Sequence, residues 1–110
     1  MEKAKWSSRE FTAYLLLYAA YADQEFTSGE REYLFSKVSI EEYSAVIKEF
    51  NKANDYEHLQ TILSFREKYF SDKQSQENIL KMVKEMFLSD NEFSPAEEGV
   101  MRIFKKVLKE

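Results

Sequence analysis

Residues 23–30 read DQEFTSGE and residues 90–97 read DNEFSPAE. Asp23, Glu25 and Glu30 thus recur, in the same order, as Asp90, Glu92 and Glu97. Carboxylates in this pattern have two chemistries open to them. They can close the ends of helices, or they can offer oxygen ligands to a hard divalent cation such as Ca²⁺ or Mg²⁺. The second requires the two stretches to meet in space. If a pseudo-twofold sets them side by side, Asp23, Glu25, Asp90 and Glu92 form an oxygen-rich cluster, with Glu30 and Glu97 as further candidate ligands.

The capping chemistry explains more of the letters. Thr27 with Glu30, and Ser94 with Glu97, fit the capping box, in which a hydroxyl and a carboxylate satisfy each other's backbone N–H groups. Each such cap is worth about 1 kcal/mol. Asp23 and Asp90 are not explained this way. They fall at or just past the ends of preceding helices, facing the negative end of the dipole at a cost of roughly 0.3–1 kcal/mol. An Asx turn onto loop amides offsets that cost, and so does a bound cation. An EF-hand is excluded, because its loop needs Gly at the sixth position and Glu at the twelfth. Counted from Asp23 those residues are Ser28 and Leu34, and counted from Asp90 they are Pro95 and Met101.

Six helices are expected to carry these loops. The first runs from about Ser8 to Ala22 behind a Ser7/Glu10 box, with Phe11, Tyr14, Leu15 and Tyr18 as its stripe and Leu16, Ala19 and Ala20 widening it. The second starts after Thr27 and turns Leu34 and Val38 inward. The third starts after Ser39, boxed by Glu42, with Ile40, Tyr43, Val46, Ile47 and Phe50 at helical spacing. NKAND breaks the pattern, because Asn and Asp compete with helix for backbone hydrogen bonds. Asp55 is the expected cap of the fourth helix, whose inner face reads Leu59, Ile62, Leu63 and Phe70. The fifth carries Ile79, Leu80, Val83, Met86 and Phe87. The sixth starts after Ser94 with Pro95 in the favoured first position, and its stripe is Val100, Ile103, Phe104, Val107 and Leu108.

Composition supports an all-α reading. The 110 residues hold 2 Gly and 1 Pro, too few for the turns of an all-β domain, while 44% are hydrophobic and 15% aromatic, which opposes disorder. That length is one domain's worth, with a real core. A single domain over 1–110 is expected. The formal net charge is −4 and the lysines are scattered among glutamates, so no basic face for nucleic acid is expected. No Cys occurs, which removes disulfides, thiolate metal sites and thiol nucleophiles, and is compatible with a reducing, cytoplasmic setting. The longest apolar run, TAYLLLYAAYA over 12–22, is shorter than the roughly 20 residues of a membrane span. It is expected to be a helix buried on most sides rather than a span or a leader.

Other residues carry less. His58 is the only His, so no triad or zinc set can form around it. It is expected to join the start of the fourth helix as part of its cap. Tyr14, Tyr18 and Tyr21 share a helical face and read as core. Trp6 is either packed or an exposed anchor for a protein partner, with packing favoured. Gly99 is expected to permit a close helix crossing.

In AYADQEFTSGE and FLSDNEFSPAE the frame is an apolar helix, an Asp, an apolar residue, and a Glu opening the next helix. This resembles the TerB-like family, named for a tellurite-resistance protein. The resemblance covers about 8–38 and 74–109. Gln24 and Asn91 stand where the family has Gly, which puts the first loop's backbone shape in question, since Asn tolerates the left-handed conformation better than Gln. The resemblance implies a compact helical fold with two pseudo-symmetric hairpins, formed by the first and second helices and by the fifth and sixth. It also implies a link to bacterial stress responses and a divalent metal at the acidic residues. The expected function is therefore a non-enzymatic binding module with an unidentified protein partner. The alternatives are a metal-free scaffold whose acidic repeats are only caps, and, last, a metal-dependent hydrolase. Tellurite is a poor ligand candidate, since there is no thiol to meet it.

Overall fold

The computed structural model describes residues 6–22, 27–69, 71–89 and 95–109. Among them the chain forms six helices: α1 (Ser8–Ala22), α2 (Ser28–Lys37), α3 (Ile40–Lys52), α4 (Asp55–Tyr69), α5 (Lys73–Leu88) and α6 (Pro95–Lys109). No strand occurs among the described residues. The radius of gyration is 12.8 Å, close to the roughly 13 Å of a compact domain this long. The expected all-α bundle is what the chain forms.

The helix starts follow from side chains that satisfy the orphaned first-turn amides. Ser7 Oγ accepts from the Glu10 amide at 3.1 Å, while Glu10 Oε1 accepts from the Ser7 amide at 2.9 Å. Ser39 and Glu42 repeat the exchange at the start of α3. At α4 the expectation fails by one residue. Asn54, not Asp55, is the cap: Asn54 Oδ1 accepts from the Glu57 amide at 2.8 Å, and Glu57 Oε1 accepts from the Asn54 amide at 2.9 Å. The box frame Asn54-x-x-Glu57 was the available signal. Asp72 caps α5 by accepting from the Ser75 amide.

Helix α1 lies at the centre. It packs against every other helix, most broadly against α3. Phe11 and the whole run from Ala13 to Ala20 are buried, which is why the segment is apolar all round. Both expected hairpin pairs are in contact, α1 with α2 and α5 with α6, but α5 packs most broadly on α6. Arg9 ties the start of α1 to α3 by a 2.6 Å ion pair with Glu42 and a 3.1 Å bond to the Lys37 carbonyl.

The inner face of α5 is as expected, with Ile79, Leu80, Val83, Met86 and Phe87 all buried. Three others are turned. In α3, Ile40 stands out in solvent. In α4, Leu63 is exposed, and the buried residues are His58, Thr61, Ile62 and Phe65. In α6, Ile103 is exposed, while Val100, Met101 and Phe104 are buried. Phe70 lies outside the described residues. Gly99 does not serve a close crossing, since a Cβ built there meets nothing within 4 Å.

Candidate functional site

The acidic corners are partly described. Asp23, Glu25, Asp90 and Glu92 lie outside the described residues, as do Phe26, Phe93 and the expected cap Ser94. Glu30 and Glu97, the equivalent glutamates in the first turns of α2 and α6, are 0% and 6% exposed. A carboxylate is rarely buried unless its charge is met. At Glu30 the box does part of this: Oε1 accepts from the Thr27 amide at 3.2 Å, and Thr27 Oγ1 accepts from the Glu30 amide at 3.1 Å. The positive end of the α2 dipole lies at the same place. The box thus accounts for one carboxylate oxygen of Glu30. Among the described residues no group of three His, Asp or Glu side chains is arranged to hold a metal.

Trp6 is not a surface anchor. It is 2% exposed, with its ring 5.1 Å from Tyr14 and stacked 5.5 Å from Phe65. Its carbonyl accepts a 2.6 Å bond from the Tyr69 hydroxyl. Trp6 is therefore sewn onto α4 and takes the packed place that the sequence favours, not that of an exposed partner anchor.

A second feature was not legible as a site. Where α1 and α3 end and α4 begins, Tyr18, Tyr21, Phe50, Asn51, Ala53, Asp55 and His58 line a pocket of about 300 Å³. His58 does not join the α4 cap. Its ring is stacked on Phe50 at 4.1 Å with an interplanar angle of 13°, and Nε2 lies 2.9 Å from the Phe50 carbonyl oxygen. Nε2–H is the donor in this pair, since a carbonyl can only accept. Tyr14 and Tyr18 meet the imidazole edge-on at 5.8 and 5.9 Å. Tyr21 lies 5.7 Å from Phe50 and is 46% exposed, so it forms the open wall. The expectation that Tyr14, Tyr18 and Tyr21 are all core holds for the first two only.

Asp55 is the one carboxylate among the residues lining this pocket. Burial, then the charge of Asp55 and its hydrogen bond, push the Tyr18 hydroxyl up to about 12. The phenol therefore stays protonated beside the carboxylate. Beneath it, burial raises Tyr14 as well, with its hydroxyl bonded to Thr61. The signal for the pocket was present only as Asp55 and His58 at (i, i+3) on α4, beside a tyrosine stripe on α1. Nothing in the sequence places those helices side by side. On the far side of the α3–α4 turn, a polar groove of about 410 Å³ is lined by Glu49, Lys52, Glu57, Gln60, Thr61 and Ser64, with Lys52 already paired to Glu49 at 3.6 Å.

Comparison with protein-family models, with curated proteins and with solved structures returns no match for this chain.

Proposed function

We propose that the chain is a non-enzymatic, stress-associated binding module of the TerB type, with its two acidic corners as a divalent-cation site. The observation that supports this reading is the shared burial of Glu30 and Glu97. Two glutamates in the same place of the repeated frame are both drawn inside, so these two positions share burial as well as letters. In this arrangement Glu30 and Glu97 shape the corners from within. Asp23, Glu25, Asp90 and Glu92 are then the carboxylates left to meet a Ca²⁺ or Mg²⁺ ion. An ion bound only by the folded state stabilises it by about 2.7 kcal/mol at a hundredfold excess over Kd. The melting temperature of the wild-type chain should therefore rise by several degrees in Ca²⁺ or Mg²⁺, and that of an Asp23→Asn/Asp90→Asn variant should not. Equal melting temperatures with and without ion in the wild type would remove the cation from the proposal.

A second reading is favoured by the completed Thr27–Glu30 box. In it the corners are capped helical junctions without metal, and a protein partner is recognised through exposed aromatic surface. Phe35 on α2 and Tyr43 on α3, with ring centroids 5.0 Å apart, supply such a surface. The same melting experiment separates the two, because the scaffold reading expects no ion effect.

A further inference from the structure

We propose that the pocket between the ends of α1 and α3 and the start of α4 binds a primary alkylammonium group, the head of a lysine side chain or of a free amine. Three observations converge on a cation. The walls are aromatic: Tyr18, Tyr21, Phe50 and His58. Aromatic faces attract an ammonium group held over them. The rim carries the Asp55 carboxylate, and no Lys or Arg is among the lining residues. Two helices also end here. Tyr18 and Tyr21 lie in the last turns of α1, and Phe50 and Asn51 in the last turn of α3. The end of α3 is met by Lys52 and by the Ala53 and His58 donors on the Phe50 carbonyl, so the negative dipole end that the pocket offers is that of α1. The last turn of α1 has no basic residue of its own to meet that end.

One term opposes a cation, the positive start of α4. Asp55 is the first residue of that helix and counters it with a full charge. The pocket's chemistry is correspondingly one-sided. An anion would face Asp55 and the carbonyl end of α1. A neutral alkyl chain would touch the rings but bring no charge to meet that of Asp55, which has only the neutral Tyr18 hydroxyl as its partner. A volume of about 300 Å³ accommodates a short alkyl chain with its head group. Other surfaces carry less. The groove of about 230 Å³ between α5 and α6 is lined by Lys84, Arg102, Lys105, Glu98 and Met101, and nothing there selects among anions.

The ligand class does not depend on whether the acidic corners hold a metal, and the test is made with a chelator present. Amide and aromatic NMR spectra of the full chain are followed while n-butylammonium chloride is added. Separate arms use n-butanol, sodium chloride at matched ionic strength, and lysine capped at both ends. Saturable shifts at Tyr18, Tyr21, Phe50, Asn51, Asp55 and His58 with butylammonium at millimolar concentration, absent with butanol and salt, are expected. Tighter binding of capped lysine would identify a peptide source, and equal binding a free amine. Asp55→Asn leaves the Asn54 cap intact and should weaken binding roughly fivefold. Tyr21→Leu keeps an apolar side chain but removes the ring, and should weaken it roughly threefold or more. Matching shifts with butanol, non-saturating shifts with butylammonium, or full affinity in a folded Asp55→Asn chain would overturn the assignment.

Discussion

The imidazole of His58 lies flat on the ring of Phe50, 4.1 Å away, and reaches back to the Phe50 carbonyl at 2.9 Å. Both contacts cross the turn between α3 and α4. That carbonyl also accepts from the Ala53 amide at 3.2 Å, so the end of α3 is closed by one backbone and one side-chain donor. His58→Ala removes the stack and the donor together, and should cost about 2–3 kcal/mol in urea unfolding. His58→Phe keeps the stack and should cost only about 1 kcal/mol, since Ala53 still holds the carbonyl. Equal losses in the two variants would mean that the stack contributes little.

Thr27 and Glu30 form the capping box at the start of α2. Thr27→Ala should lower stability by about 1 kcal/mol, as at other helix caps. Glu30→Ala should cost more, about 2–3 kcal/mol, because it strands a part-buried amide and opens space in a fully buried site. The corresponding change at the box on α3, Glu42→Ala, also removes the exposed Arg9 ion pair and should cost about 1–1.5 kcal/mol. Thermal denaturation of the three variants at one pH checks this order, and a Glu30→Ala chain as stable as Glu42→Ala would contradict it.

Tyr33 on α2 donates a 2.6 Å hydrogen bond to Glu85 on α5. Burial, followed by that bond and the charge of Glu85, raises the phenol well above its ordinary value of 10. Tyr14, Tyr18 and Tyr43 are raised too, each by burial first. In the unfolded chain these tyrosines ionise near 10, while in the fold they keep their protons to higher pH. Their contribution is therefore complete below about pH 10 and is lost as pH climbs toward the folded values. Unfolding free energy should fall steeply above pH 10, and less steeply in Tyr33→Phe. A flat profile to pH 11 would contradict the burial of these hydroxyls.

Gly99 sits inside α6 with open space where a Cβ would be. Gly99→Ala should stabilise the chain by about 0.5–1 kcal/mol, by helix propensity and by narrowing the unfolded ensemble. A loss of stability would show that something packs there after all.

These cases also mark what the amino-acid sequence makes visible. The faces of α1 and α5 were readable because their buried positions are apolar without exception. The face of α4 was misread because its buried positions include His58 and Thr61. Such residues are polar by type, and only tertiary partners such as the Phe50 carbonyl and the Tyr14 hydroxyl make them inward residues. Ile40, Leu63 and Ile103 err the other way, being apolar at positions no neighbouring helix covers. The caps at Ser7, Thr27 and Ser39 are legible since a box is local, and Asn54-x-x-Glu57 carries the same local frame. The acidic corners were visible as letters, whereas the pocket joins residues from α1, α3 and α4 and exists only once α1 is wrapped by its neighbours.

The divalent-cation site at the repeated corners is the central proposal. Its most direct test is an amide NMR titration of the full chain with Ca²⁺, Mg²⁺ and, as a paramagnetic probe, Mn²⁺. Saturable shifts confined to 23–30 and 90–97, with Mn²⁺ broadening the same residues and both effects lost in Asp23→Asn, are the expected result. Unchanged spectra at millimolar ion would contradict it and leave the repeat as two capped helical corners.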